Sequence, residues 1–97
     1  MDFNKALGKA ISGLRKSKNI TQESISGFAS RSYLSEVENG KKEVSVVKIN
    51  EYAASIEVHP LTILTQAYLN LNPAIDIDNL QSLIKSELSF DTGLKKL

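Results

Sequence analysis

Apolar residues recur at helical spacing along almost the whole chain, and this periodicity limits the fold more than any other feature of the sequence. In the first segment they fall at i, i+4, i+7, i+8 and i+11, at Phe3, Leu7, Ala10, Ile11 and Leu14. That spacing is typical of the buried face of an amphipathic helix, whereas a half-buried strand alternates apolar and polar residues. Similar spacing returns in later segments, and no segment needs a strand. The sequence therefore predicts an all-α chain of six short helices.

Capping residues and helix breakers set the expected boundaries, because Ser, Thr and Asp favour helix starts while Asn-Gly and Pro favour helix ends. The six predicted helices are residues 2–18, a short helix after Thr21, Arg31–Glu38 after Ser30, a helix after Ser45, a helix opened by His59 and Pro60 and stopped by Pro73, and residues 80–88 capped by Asp78. The inward positions expected in the second, fourth and fifth helices are Ile25 and Phe28, then Val46, Ile49, Ala53 and Ile56, then Leu61, Leu64, Tyr68 and Leu71.

Length and composition bound the domain organisation. A chain of 97 residues with 41% apolar and 24% charged residues has room for one domain and a short appended element. We expect residues 1–72 to form the domain and residues 73–97 to form a C-terminal helical extension. With no Cys and one His, the chain excludes disulfides, thiolate nucleophiles and Cys or His metal clusters, so neither metal nor cofactor is expected. No apolar run approaches the ~18 residues of a membrane span, and the N-terminus lacks a signal-peptide core, so we expect a soluble, cytoplasmic protein without membrane contact.

The net charge of +1 conceals a difference between the two halves of the chain. Residues 1–48 carry nine Lys and Arg against five Asp and Glu, whereas residues 49–97 carry three against six. A basic half favours a polyanion such as a nucleic acid as partner, and an acidic half favours packing or protein binding. Ordinary scatter of surface charge is the alternative interpretation.

The third predicted helix, Arg31–Glu38, has an outer face that core packing does not explain. Leu34 and Val37 are its strongly apolar residues and lie on one side. The residues left outside are Arg31, Ser32, Ser35 and Glu36. These types can read base edges, because Arg donates to guanine O6 and N7, Ser donates or accepts, and Glu accepts from cytosine N4.

Three runs carry a resemblance to a known family: Thr21-Gln22-Glu23, then Arg31-Ser32-Tyr33-Leu34-Ser35, then Glu38-Asn39-Gly40-Lys41. Over about residues 5 to 70 the chain resembles the phage-repressor-like helix-turn-helix family, also called the Xre or Cro/C1 type. The resemblance implies a compact five-helix lambda-repressor-like DNA-binding domain. It also implies that the second and third helices form the helix-turn-helix, that the third helix enters the major groove, and that a homodimer binds an inverted repeat.

The resemblance also assigns expected roles to single residues. It implies a buried ion pair between Arg15 and Glu38, which ties the first helix to the end of the third. It implies base contacts by Arg31, Ser32, Ser35 and Glu36, and backbone contacts by Gln22, Tyr33, Asn39, Gly40, Lys41 and Lys42. The sequence departs from the family at Glu57, where glycine usually ends the fourth helix, and between Thr21 and Arg31, where it is two residues shorter than the commonest pattern.

Two functions from different classes follow from these patterns. The first is a sequence-specific regulator that binds double-stranded DNA as a homodimer, with the last helix either closing the core or pairing across a two-fold axis. The alternative is a protein-binding module on the same scaffold, antitoxin-like or an adaptor between a regulator and a protein partner. An enzyme is not expected, because the sequence has no nucleophile elbow, P-loop or paired acid and base.

Overall fold

The computed structural model describes residues 1–25 and 30–91, except the side chain of Asp91. The α-helices are α1 (Phe3–Ser17), α2 (Arg31–Glu38), α3 (Val46–Ser55), α4 (Pro60–Leu71) and α5 (Ile77–Glu87), and 3₁₀ turns cover Gln22–Ile25 and Leu88–Asp91. The described part of the chain contains no strand, so the predicted all-α fold is confirmed, and five of the six predicted helices are α-helices. The described part of the predicted second helix is the first of these 3₁₀ turns, and its expected inward residue Phe28 lies outside the described residues.

Each α-helix begins at a side chain that accepts a hydrogen bond from a backbone N–H of the first turn. Ser30 Oγ accepts from Tyr33 N at 3.0 Å, and His59 Nδ1 accepts from Leu61 N at 3.0 Å. The predicted cap of the last helix was wrong, because Asp76 caps α5 and Asp78 lies in its first turn. The helix therefore starts two residues earlier than a cap at Asp78 would place it, and the negative charge of Asp78 lies near its positive N-terminal end.

Three helices end in the same way, at a residue of positive φ. The N–H groups of that residue and of the next one donate to carbonyl oxygens of the last turn. The residues are Asn19 after α1 (φ 59°), Gly40 after α2 (φ 74°) and Glu57 after α3 (φ 59°). After α2, for example, Gly40 N donates to Val37 O at 3.0 Å and Lys41 N to Glu36 O at 2.9 Å, which is a Schellman motif. These sharp ends turn the chain back and allow short helices to surround one core.

The core lies between α1, α2, α3 and α4. α1 packs against α4, and Asn70 Nδ2 on α4 donates to Ala6 O on α1 at 3.0 Å. The removal of apolar side chains from water drives this packing. The buried apolar residues are Ala6, Leu7, Ala10, Ile11, Ile25, Leu34, Val37, Ile49, Tyr52, Ala53, Ile56, Ile63 and Ala67.

The inward faces expected for two helices were partly wrong. Val46 is 65% exposed in the first turn of α3, and Leu61 and Tyr68 on α4 are 60% and 52% exposed. The residues of α4 that are buried are instead Ile63 and Ala67. Because apolar residues surround most of α4, its sequence does not specify one buried face, and the contacts with α1 and α3 select it.

The last helix, α5, buries none of its residues in this chain. The expectation that it closes the core was therefore wrong for the described residues, while pairing with a second copy stays a prediction. Its exposed apolar residues, with those of the following 3₁₀ turn, are Ile77, Leu83, Ile84, Leu88 and Phe90. Within the described residues, no helix combines the length and the apolar character that crossing a membrane requires.

Candidate nucleic-acid interface

The outer face of α2 is polar and contiguous. Leu34 and Val37 are buried, with 3% and 4% exposure, and they fix which side of the short helix faces the core. At 3.6 residues per turn, positions 31, 32, 35, 36 and 39 span roughly 140° of the helix circumference on the other side. Arg31, Ser32 and Asn39 are exposed there and Ser35 and Glu36 are half-buried, so the predicted base-contacting residues share one face.

Arg31, the first residue of α2, forms an ion pair with the first 3₁₀ turn. Its Nη1 lies 3.1 Å from Oε1 of Glu23 in the first 3₁₀ turn, and the two side chains are 66% and 58% exposed. The pKa of Glu23 is lowered by a hydrogen bond to its own backbone N–H and by the charge of Arg31. The pair is exposed to water, so it is weak by itself. It sets the guanidinium of Arg31 beside the first 3₁₀ turn.

A buried ion pair ties the end of α2 to α1. Arg15 Nε donates to Glu38 Oε2 at 2.7 Å and Arg15 Nη2 donates to Glu38 Oε1 at 2.8 Å, while Arg15 Nη1 donates to Ile20 O at 2.8 Å. The two side chains are 8% and 7% exposed. This bidentate geometry fixes the direction of both groups. The structure therefore brings together the two residues for which the resemblance implied an ion pair.

Glu38 also receives hydrogen bonds from the first 3₁₀ turn and from α3. Gln22 Nε2 donates to Glu38 Oε1 at 3.0 Å, and Tyr52 Oη donates to Glu38 Oε2 at 3.4 Å. Burial raises the pKa of Glu38, but the hydrogen bonds from Arg15 and Gln22 outweigh burial and hold that pKa below its ordinary value. Burial and the Glu38 charge raise the pKa of Tyr52. One carboxylate thus fixes α2 relative to three other elements.

The segment after α2 carries two exposed cations, Lys41 and Lys42, next to the outer face of α2. The resemblance implied phosphate contacts there through backbone N–H groups as well as cations. The N–H groups of Asn39, Gly40 and Lys41 instead donate to carbonyl oxygens of α2. Helix termination therefore uses these donors, and the Lys41 and Lys42 side chains are the groups of this segment best suited to an anion.

Two predicted backbone-contacting residues have structural roles that the sequence did not show. Tyr33 is partly exposed and packs against the core cluster. The Gln22 amide is hydrogen-bonded to Glu38, so it also braces α2. Both remain at the edge of the α2 face.

Sequence reasoning missed Lys5 as part of this surface. A Cβ on Gly40 would lie 2.6 Å from Lys5 Cγ and 2.8 Å from Lys5 Cα. The exposed Lys5 side chain therefore lies against the segment that carries Lys41 and Lys42. The helical pattern of α1 places Lys5 on its outer side. Its contact with Gly40 could not be predicted, because the two residues are 35 positions apart in the sequence.

Comparison with known proteins assigns the chain to a class. No protein-family model matches the chain. Over 68 residues it is 35% identical to the uncharacterized HTH-type transcriptional regulator y4dJ of Sinorhizobium fredii, and the matched part covers 67% of this chain and 87% of that protein. The similarity spans nearly the whole relative, and the chain has the all-helical fold expected of a helix-turn-helix domain. The chain belongs to the HTH-type transcriptional regulators.

Proposed function

We propose that this protein is a sequence-specific transcriptional regulator that binds double-stranded DNA with α2 in the major groove. The observation that carries this proposal is the outer face of α2, a contiguous polar surface on a helix fixed by the buried Arg15–Glu38 pair. Groups that read base edges must be held rigidly, because small errors in position break bidentate hydrogen bonds. The α2 face meets that requirement.

Four side chains on this face read the bases. The guanidinium of Arg31 donates to guanine O6 and N7, and the carboxylate of Glu36 accepts from the N4 amino group of cytosine. Ser32 and Ser35 donate or accept according to the base they meet. Each good bidentate pair contributes ~1–3 kcal/mol of discrimination against the wrong base, so Arg31 contributes most to sequence preference.

Cations beside α2 bind the phosphate backbone. Lys41 and Lys42 supply this contact from the segment after the helix, and Lys5 adds a third cation because it lies against Gly40. Asn39, Tyr33 and Gln22 contact the backbone at the edges of the same surface. Such contacts release condensed counterions, so the affinity for any duplex falls steeply as salt rises.

The protein acts as a homodimer that pairs through α5. An isolated helix of fewer than ~12 residues is marginal in water, and no residue of α5 is fully buried by its own chain. Ile77, Leu80, Ile84 and Leu88 recur at three- and four-residue spacing and form an apolar stripe along it. A two-fold axis buries this stripe against the same stripe of a second copy. The resulting dimer presents two α2 helices to an inverted repeat.

The experiment that tests the proposal is selection of bound duplexes from a random-sequence pool by the full-length protein, at two salt concentrations. We expect an inverted repeat to be recovered. We also expect Arg31→Ala to relax the preference at one base pair of each half-site, and Lys42→Ala to weaken binding to all sequences about equally. Lys85→Ala on α5 serves as the matched control. Recovery of no motif, with weak binding at both salt concentrations, would overturn the proposal.

A protein-binding module is the second candidate, and the exposed apolar surface of α5 favours it. Five large apolar residues between Ile77 and Phe90 are 40% to 78% exposed, which is unusual for a helix of a monomeric protein. A module of this kind would bind a protein partner with little dependence on salt and would have negligible affinity for DNA. The same selection experiment therefore separates the two candidates.

A further inference from the structure

We propose that Glu23 determines DNA specificity by positioning the guanidinium of Arg31, a role that rests on the proposed function. Glu23 holds one side of the guanidinium and leaves the other side for guanine. Its negative charge also keeps Arg31 from serving as a general phosphate contact. Glu23 is a positioning residue, because it acts through Arg31 and not through a base of its own.

The geometry of the ion pair leaves the base-reading edge of Arg31 open. Glu23 Oε1 lies 3.1 Å from Nη1 of Arg31. The guanidinium has five N–H donors in a fixed plane, and a contact at Nη1 leaves the edge formed by Nε and Nη2. That edge carries two parallel donors, which match the O6 and N7 acceptors of guanine in the major groove. Arg31 can therefore bind guanine while it keeps Glu23.

The charges around α2 make this restraint effective. Arg31 is the one cation on the described outer face of α2, whose other members are Ser32, Ser35, Glu36 and Asn39. Glu23 neutralises that cation, and Glu36 adds a further negative charge, so the face itself does not attract phosphates. An exposed ion pair is weak in water. It strengthens when docked DNA excludes water from between the two surfaces.

Specific and non-specific duplexes therefore affect the Glu23–Arg31 ion pair differently. At a cognate site, guanine receives the Nε and Nη2 donors and the ion pair persists. On any other sequence, a phosphate can recruit Arg31 only by displacing the carboxylate of Glu23. Glu23 thus lowers the affinity for non-specific DNA more than the affinity for the cognate site.

The test is to measure the dissociation constants of wild type and Glu23→Gln for the duplex selected by the wild type and for a shuffled duplex. Glutamine keeps the shape and one acceptor oxygen but removes the charge. Glu51→Gln on α3 removes the same charge from another exposed ion pair, in which Glu51 Oε2 lies 3.4 Å from Lys48 Nζ, and is the control. We expect Glu23→Gln to bind the shuffled duplex about tenfold more tightly than the wild type does. Its binding should also depend more steeply on salt, by about one phosphate contact. The control should change the ratio of the dissociation constants for the two duplexes less than about twofold.

A purely structural role for Glu23 would lower the melting temperature and leave the ratio of the two dissociation constants unchanged. A ratio in Glu23→Gln equal to that of the wild type would overturn the inference, as would an equal change in Glu51→Gln. The proposed function fails separately, and this inference with it, if the wild type prefers no duplex. A wild-type preference that Arg31→Ala leaves intact would also overturn the role of Glu23.

Discussion

Gly8 on α1 lies directly against the last turn of α2, such that a Cβ on Gly8 would be 2.7 Å from the carbonyl oxygen of Glu38. A backbone carbonyl cannot move aside without shifting the helix that carries it. We therefore expect Gly8→Ala to lower the free energy of unfolding by about 2 kcal/mol, which is typical of overpacking. Unfolding in urea, followed by circular dichroism, measures this change.

Gly13 on the same helix is the matched control. No atom lies within 4 Å of a Cβ built there, and the residue is exposed. Since alanine is the better helix former, we expect Gly13→Ala to raise the free energy of unfolding by about 1 kcal/mol. If Gly8→Ala proves as stable as Gly13→Ala, then α2 does not pack on α1 as described.

The buried carboxylate of Glu38 makes stability depend on pH. Its pKa is lower in the folded protein than in the unfolded chain, because hydrogen bonds from Arg15 and Gln22 outweigh the effect of burial. The stabilisation is therefore complete above the ordinary glutamate pKa of about 4.3. It is lost as the pH falls through the lower folded pKa. We expect the free energy of unfolding of the wild type to fall more steeply across this acidic range than that of Glu38→Gln.

Removal of one partner should cost more than removal of both. Glu38→Gln leaves Arg15 buried without its carboxylate, and we expect a loss of about 3–5 kcal/mol near neutral pH. The double variant Arg15→Met with Glu38→Leu replaces the pair by apolar groups and should lose less than either of its single changes. Single losses that simply add in the double variant would show that the two groups are not coupled.

The sequence specified the helices whose apolar residues lie on one face. For α1 and α2, the spacing of Leu7 and Ile11, and of Leu34 and Val37, indicated both the helix and its buried side. For α4, apolar residues lie on several faces, and the buried positions Ile63 and Ala67 are selected by neighbouring helices. A cap is similarly ambiguous where two aspartates stand two residues apart, and the choice of Asp78 over Asp76 was wrong.

The sequence likewise predicted only some features of the candidate site. The polar residues of α2 could be assigned to one face from helical periodicity, and the family resemblance supplied the pairing of Arg15 with Glu38. The Glu23–Arg31 pair and the approach of Lys5 to Gly40 could not be predicted, because each depends on how two elements cross in space. Periodicity describes the faces of one helix and contains no information about the distance between two of them.

Glu57 is a site where a glycine should increase stability. It ends α3 with φ 59°, a conformation that costs most side chains about 1–2 kcal/mol. We expect Glu57→Gly to raise the free energy of unfolding by about 1 kcal/mol. Asn19→Gly, at the same place after α1, should gain less because asparagine tolerates positive φ. Thermal unfolding measures the stability of both variants. A gain in stability for Glu57→Gly that is no larger than that for Asn19→Gly would contradict the backbone conformation described.

The apolar stripe of α5 provides a test of dimer formation. We expect the wild type to sediment as a dimer and Ile84→Asp to sediment as a monomer, because the added charge would be buried at the interface. Ser82→Asp adds the same charge on the opposite side of α5 and should leave the dimer intact. Ile84→Asp should also lose helical signal in circular dichroism, since α5 is marginal alone. A dimeric Ile84→Asp variant would rule out α5 as the interface.

The most direct test of the central claim is to record backbone amide chemical shifts as the selected duplex is added to the full-length protein. We expect the largest changes in α2 and in residues 39–42, with a smaller change at Lys5. Shifts in α3 and at the core-facing positions of α4 should stay close to those of the free protein. Changes confined to α5, or no changes at DNA concentrations that saturate binding, would contradict the assignment of α2 as the DNA-reading helix.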